Sequence, residues 1–156
     1  MSRRGQIAMT EEEAAAFLDE QRTVICATIG RDGWPHLMPL WYVVREGELW
    51  AWTYAKSQKV RNLERDPRAT LQVESGTEYQ ELRGVMLKCE VELRRDAADV
   101  AALGREIFAR YTGTSLDTLD ENVAAMVEAQ APKRVAMRFA ERERASWDHR
   151  KLGGVY

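Results

Sequence analysis

The sequence is constrained most by a change of hydrophobic period near residue 23. Thr23 to Ile29 is β-branched and apolar and ends in Gly30-Arg31-Asp32-Gly33. His36 to Val44 follows, and Glu46-Gly47 separates it from Leu49 to Thr53. Short apolar runs bounded by turn residues read as strands. Strands joined this tightly pair antiparallel, because a parallel return needs a crossover of about a dozen residues or more. The expectation is a three-stranded antiparallel meander rather than a parallel sheet.

Helices bracket this core. Thr10 and Glu13 form a capping box before a helix that carries Ala14, Phe17 and Leu18 on one face. Ser57 reads as the N-cap of a short helix with Val60 and Leu63 inward, stopped by Asp66-Pro67. Ala69 to Glu74 is a fourth strand. Glu81 to Arg94 is a fifth, with Gly84 a bulge or a point of close approach. Asp96 caps a helix carrying Val100, Leu103, Ile107 and Tyr111, and Gly113 ends it. A further helix carries Val123, Met126 and Val127 and stops before Pro132. Lys133 to Ala140 is a sixth strand, and the tail from Ser146 to Tyr156 is polar and aromatic, then Gly-rich. The fold class is mainly β within α+β: a six-stranded antiparallel barrel with flanking helices, closed or nearly closed because closure removes exposed edges. The 156 residues make one domain, 1–156.

The second strand carries Leu37, Pro39, Trp41 and Val43 on one face and Met38, Leu40, Tyr42 and Val44 on the other. A strand apolar on both faces is covered on both. In a barrel one face fills the interior, so the other meets a ligand or a second subunit, and a homodimer is expected. Lys and Arg number 23 against 25 Asp and Glu, which gives no basic excess for nucleic acid. No apolar run approaches the roughly 18 residues of a membrane span, and Met1 to Met9 lacks the apolar core of a signal peptide. Cys26 and Cys89 lie far apart in apolar runs and read as buried thiols in a cytoplasmic, reducing setting. With no Cys-x-x-Cys and with His36 and His149 isolated, no metal site is expected.

Three stretches carry possible chemistry. Tyr54 to Asn62 joins a strand to a helix N-terminus and holds Lys56, Ser57, Lys59 and Arg61. Free N–H groups and the helix dipole favour an anion there, and lysine and serine side chains suit a phosphate or a carboxylate. The alternative is a solvated basic helix start. Trp34, Trp41, Trp50 and Trp52 crowd two neighbouring strands. Trp50 and Trp52 read as packing residues, whereas Trp41 is placed to flank a planar ring near the basic loop. The tail Ser146 to Gly154 either docks as a strand end or reaches a cofactor across a dimer. His149 is the one candidate proton donor, set against the plainer reading of a hydrogen-bonded surface histidine. No dinucleotide fingerprint, Walker loop or nucleophile elbow is present.

Pro35 to Tyr42, Trp52 to Leu63 and Asp66-Pro67-Arg68 resemble the pyridoxamine-phosphate-oxidase-like split-barrel superfamily. The tail Ser146 to Leu152 resembles its flavin/deazaflavin oxidoreductases of group B, common in actinobacteria. The resemblance implies a homodimer with two cofactor sites at the interface. It implies that Pro39, Leu40 and Trp41 run along the ring, that Lys56, Ser57, Lys59 and Asn62 hold the phosphate end, with Thr53 also at the cofactor, and that the other subunit's counterparts of Trp147, His149 and Lys151 close the site. Pyridoxamine phosphate oxidases place an Arg and a Lys on the second strand to hold the FMN phosphate, and Leu37 to Tyr42 has neither. That departure favours the deazaflavin coenzyme F420 over FMN, and a reductase that passes a hydride to an electron-poor double bond of a small planar substrate. The alternatives are an FMN-dependent oxidase or reductase of the same fold, and a non-catalytic cofactor or haem binder with His36 or His149 as axial ligand.

Overall fold

A computed structural model describes residues 2–154; Met1 and the last two residues of the tail, Val155 and Tyr156, lie outside the described residues. The chain runs α1 (Arg3–Ile7), α2 (Glu11–Glu20), β1 (Val24–Ile29), β2 (Pro35–Leu40), β3 (Val43–Arg45), β4 (Glu48–Tyr54), α3 (Gln58–Arg65), β5 (Arg68–Ser75), β6 (Arg83–Arg94), α4 (Ala97–Thr112), α5 (Glu121–Gln130) and β7 (Arg134–Asp148), and ends in a 3-10 turn, His149–Leu152. The strands form one antiparallel sheet in the order β2-β1-β5-β6-β7-β4-β3. The described residues form seven strands, not six, and the sheet they make is not closed.

The extra strand comes from a break in the expected second one. Tyr42 is fully buried, and its hydroxyl donates to the carbonyls of Leu18 (2.5 Å) and Gln21 (3.1 Å) at the end of α2. Its backbone is taken as well. The N–H donates to the Tyr111 hydroxyl at 3.0 Å, and the carbonyl accepts from Arg110 at 2.6 Å. With both backbone groups held by α4 side chains, no neighbouring strand continues the ladder through residue 42. The first half of the strand therefore pairs with β1 (Cys26 opposite Met38) and the second with β4 (Val43 opposite Trp50). The two free edges of the sheet, β2 and β3, are joined by Trp41 and Tyr42 alone.

Two apolar layers result. The inner faces of the strands enclose Val24, Cys26, Leu49, Ala51, Leu71, Val85, Leu87, Met137 and Phe139, closed at one side by Ala14, Phe17 and Leu18 of α2. The outer faces of β3, β4 and β7 bury Val43, Trp50, Trp52 and Ala136 under Val100, Leu103 and Ile107 of α4 and Val127 of α5. Trp50 and Trp52 are packing residues, as expected. Met126 is exposed, contrary to its expected inward face, because α5 buries only Val127. The capping box at Thr10, the Asp96 cap and the left-handed Gly113 terminus form as expected.

The sixth strand runs to Asp148, well beyond Ala140, so the start of the expected tail, Ser146 to Asp148, belongs to the sheet. Its alternation is hidden by charge. Arg138, Arg142 and Glu143 pair across the ladder with Glu92, Glu90 and Lys88 of β6. The bulge falls between Lys88 and Cys89 rather than at Gly84. Gly84 is the point of close approach: it faces Trp147 in register, and a Cβ there would overlap the indole ring.

Two outcomes test this account. Gly84→Ala is expected to cost about 1–3 kcal/mol, the range for overpacking, and to shift Trp147 emission; urea unfolding followed by fluorescence reads both. Arg110→Met strips a guanidinium from the carbonyls of Leu18, Asp19, Gln21 and Tyr42. It is expected to cost about 3 kcal/mol, since bonds to charged donors contribute roughly 1.5–3 kcal/mol and buried acceptors lose their partner. A cost below about 1 kcal/mol would refute the assignment of the strand break to this interaction.

Candidate functional site

The last inner-facing residue of β4 is Thr53 and the last outer-facing one is Tyr54. The chain then turns, with the Ser57 N–H donating to the Tyr54 carbonyl at 3.0 Å, and enters α3. Ser57 stands at the N-cap position, but its side chain makes no capping bond, and its Oγ is buried without a partner. The first N–H groups of α3 have no intrahelical acceptor. Lys56 is exposed beside them, so this helix start keeps donors and positive charge unused.

α3 turns Lys59, Val60, Asn62 and Leu63 inward. Lys59 is only 6 % exposed, and its ammonium donates to Thr53 Oγ1 at 2.9 Å. Burial pushes its pKa below the usual lysine range, and the Arg134 charge adds to this, against the nearby Cys26, which acts to raise it. Asn62 is fully buried, donating from Nδ2 to Thr28 Oγ1 at 3.0 Å and accepting from Gln58 at 2.9 Å. Thr53, Lys59 and Asn62 thus meet inside one end of the sheet, while Lys56 and Ser57 stay at its rim.

Two grooves flank the helix start. One, of about 410 Å³, is lined by Gly30, Arg31, Asp32, Trp34, Pro35, His36, Gln58 and Asn62, and joins α3 to the start of β2. The other, of about 620 Å³, lies between Tyr54–Ser57 and Pro132–Lys133. Among the described residues, four buried side-chain polar atoms lack a partner: His36 Nδ1, Ser57 Oγ, Gln130 Oε1 and Arg134 Nε. His36 and Ser57 line these two grooves. Gln130 and Arg134 bracket the Pro132–Lys133 wall in sequence. Buried polar groups are nearly always satisfied, so these atoms are the candidates to meet a hydrogen-bonding ligand.

The remaining candidates are placed differently. Pro39 is exposed and Leu40 half-buried along β2. Trp41 is 47 % exposed, with its ring stacked on Tyr111 at 4.3 Å. Trp147 lies on Gly84 beside a third groove, of about 390 Å³, with Arg4, Ile7, Met86 and His149. His149 Nδ1 sits 2.8 Å from the Tyr79 carbonyl, and Lys151 donates to the Ala8 carbonyl and to Glu13. Within one chain the tail is docked on its own strand and lines none of the grooves at α3. Lys133, Arg134, Arg31 and Gln58 join the site without having stood out in the sequence as site residues. The signal for Lys133 and Arg134 is the pairing of Tyr54 with Arg134 across β4 and β7, which is a long-range fact.

An antiparallel sheet split at Tyr42, with the unpartnered Ser57 hydroxyl and the exposed Lys56 after its fourth strand, frames the candidate site. The family model for pyridoxamine 5'-phosphate oxidase matches residues 10–148, and the chain belongs to that family. A conserved hypothetical protein from Mycobacterium tuberculosis is 41 % identical with a TM-score of 0.88, over 100 % of this chain and 95 % of that one. An F420 reductase superposes with a TM-score of 0.66 at 21 % identity, over 83 % and 94 % of the two chains. A FAD-binding protein from Mesorhizobium loti gives 0.66 at 16 %, over 89 % and 94 %. These last two are similar in fold. No curated protein matches the chain in sequence. No described helix is long and apolar enough to cross a membrane, and no described group of three His, Cys, Asp or Glu side chains is placed to hold a metal.

Lys59 supplies a test of the cradle. A buried ammonium without a carboxylate is costly. Lys59→Met is therefore expected to raise the stability of the ligand-free protein by about 1–2 kcal/mol. Below its lowered native pKa, Lys59 is charged in both native and unfolded states and the full penalty applies. As pH rises through the native value toward the ordinary 10.5, the native state sheds the proton first and the gap between the two proteins narrows. Denaturant unfolding at several pH values checks both the sign and the trend.

Proposed function

We propose that this protein is an F420-dependent reductase that acts on an electron-poor double bond of a small planar substrate, working as a cytoplasmic homodimer. The observation that carries the reading is the unsatisfied cradle at the start of α3, set beside a β2 strand with no basic side chain from Leu37 to Tyr42. Ser57 Oγ, the free N–H groups of α3 and the Lys56 ammonium suit one phosphate. The apolar β2 suits an uncharged ring system, and a flavin mononucleotide would lack the basic pair that pyridoxamine phosphate oxidases offer it there.

When bound, the reduced deazaflavin would supply the hydride. The chain's part is to hold, orient and shield. Lys56 and Ser57 would fix the phosphate, and Lys59 would set a positive potential beneath it from inside the sheet. Pro39, Leu40 and Trp41 would wall the ring and exclude water, with Trp41 held in place by Tyr111. The homodimer reading rests on apolar side chains that one chain leaves uncovered: Leu37 is 56 % exposed, Met38 42 % and Trp34 75 %. A second copy would cover them and bring its Trp147, His149 and Lys151 toward the site.

Titration with F420 and with FMN, followed by tryptophan fluorescence, is the test. F420 is expected to bind at least about ten-fold more tightly than FMN, and Lys56→Ala with Ser57→Ala to lower F420 affinity by about 10–100-fold, the equivalent of one or two charge-assisted hydrogen bonds. A preference for FMN would make this an FMN enzyme of the same fold. A monomer by light scattering would remove the role given to the tail.

A further inference from the structure

The groove of about 620 Å³ beyond Ser57 carries more than one phosphate needs. Its two walls are fixed together. Tyr54 pairs with Arg134 across β4 and β7, and the Ala55 N–H donates to the Lys133 carbonyl at 2.9 Å. This holds Lys56 and Lys133 on facing segments of one groove, with Tyr54 and Pro132 as apolar surface between them. The Arg134 guanidinium lies over the Tyr54 ring at 4.1 Å and the Trp52 ring at 4.4 Å, with its Nε buried and unpartnered. Stacking on two rings orients this charge without neutralising it.

The groove holds no compensating carboxylate. Several cations elsewhere are paired, Arg45 with Glu106, Arg83 with Glu20, Arg138 with Glu48 and Glu92, Arg144 with Glu141 and Arg150 with Asp148. Among the described residues, Lys56, Lys133 and Arg134 have no carboxylate within 4.0 Å, and no Asp or Glu lines the groove. The whole chain carries a net charge of -2. Lys56 and Lys133 thus line an apolar-walled groove that holds no carboxylate, and Arg134 stacks on its Tyr54 wall.

We infer that the groove is a second anion subsite, for a carboxylate or phosphate that the bound cofactor carries beyond its first phosphate. The inference rests on the proposed cofactor reading and extends it. Lys56 stands between the two subsites, and Lys133 lines the second alone. The ligand class is an extended polyanion with a flexible link between its anionic groups, so that one lies on the α3 start and the next passes along Tyr54 and Pro132.

The experiment compares three probes on the wild-type protein, on Lys133→Ala and on Lys133→Glu: FMN with one phosphate, FAD with two, and F420 with a phosphate and carboxylates. Lys133→Glu is expected to weaken F420, FAD or both by about ten-fold or more, the effect of replacing one charge-assisted hydrogen bond by a like-charge repulsion, and to leave FMN within about two-fold. Lys133→Ala is expected to fall between. Weakening of F420 alone assigns carboxylates to the subsite, and of FAD alone a second phosphate. Equal weakening of all three probes, or of none, overturns the subsite. Wild-type protein that binds FMN as tightly as F420 and FAD overturns it too while leaving the α3 cradle standing. Failure to bind any of the three overturns both readings. Lys133 is exposed, and circular dichroism with thermal melting checks that each variant is folded.

Discussion

The structure depends on the way Arg110 and Tyr111 hold Tyr42. One guanidinium gathers the carbonyls at the end of α2 and the carbonyl of Tyr42, and one phenol takes the Tyr42 N–H. A helix end leaves carbonyls without donor partners, and a strand left mid-ladder leaves both its groups unpaired. The same two side chains of α4 answer both deficits. They tie α2, α4 and the β2–β3 corner into one unit. They also decide the split: the ladder stops at residue 42, the sheet keeps two edges, and Trp41 is turned out onto Tyr111. The packing of α4 over Trp50 and Trp52 is what places Arg110 and Tyr111 at that corner.

β4 then does two jobs because side chains alternate along a strand. Its inner residues end in Thr53, which receives the Lys59 ammonium inside the sheet. Its outer residues run Trp50, Trp52, Tyr54 under arginines: Arg45 and Arg94 over Trp50, Arg134 over Trp52 and Tyr54. The strand therefore delivers a buried cation on one face and a stacked cation on the other, within two residues of its end. The turn that follows sits between them. Positive potential at the start of α3 comes from below through Lys59, from the side through Arg134, and from the loop itself through Lys56.

Local signals are legible in the sequence where local chemistry decides the outcome. The capping box at Thr10, the Gly30–Gly33 turn, the Asp96 cap and the Gly113 terminus depend on residues a few positions apart, and each forms as its residues predict. The strand break at Tyr42 depends on Arg110 and Tyr111, far along the chain, and leaves no local mark. The length of β7 is obscured because Arg142 and Glu143, held by Glu90 and Lys88 of β6, interrupt the apolar alternation of Val135, Met137 and Phe139, so the strand reads as ending at Ala140. The basic loop is visible as a cluster, but its geometry is not. Lys59 and Asn62 share the inward arc with Val60 and Leu63, and only the Thr53 and Thr28 hydroxyls inside the sheet explain why polar side chains are accepted there. Lys133 and Arg134 join the site only through the β4–β7 register.

The loss of satisfied bonds is confined to one end of the molecule. The buried polar side-chain atoms without partners among the described residues belong to His36, Ser57, Gln130 and Arg134, and the buried lysine without a carboxylate is Lys59. Each such group costs roughly 1–3 kcal/mol in a fold whose margin is of the order of 5–15 kcal/mol. The opposite end shows no such deficit: Asp148, also buried, is held by Arg150, whose hydrogen bonds keep its carboxyl below the usual range. Deficits scattered at random would be defects. Deficits gathered around one helix start, all but Gln130 Oε1 able to offer donors, are what the proposed anion would satisfy. Binding that anion would return stability in proportion to the logarithm of its concentration over its dissociation constant, so the same groups that weaken the free chain are those that would make the bound one firm.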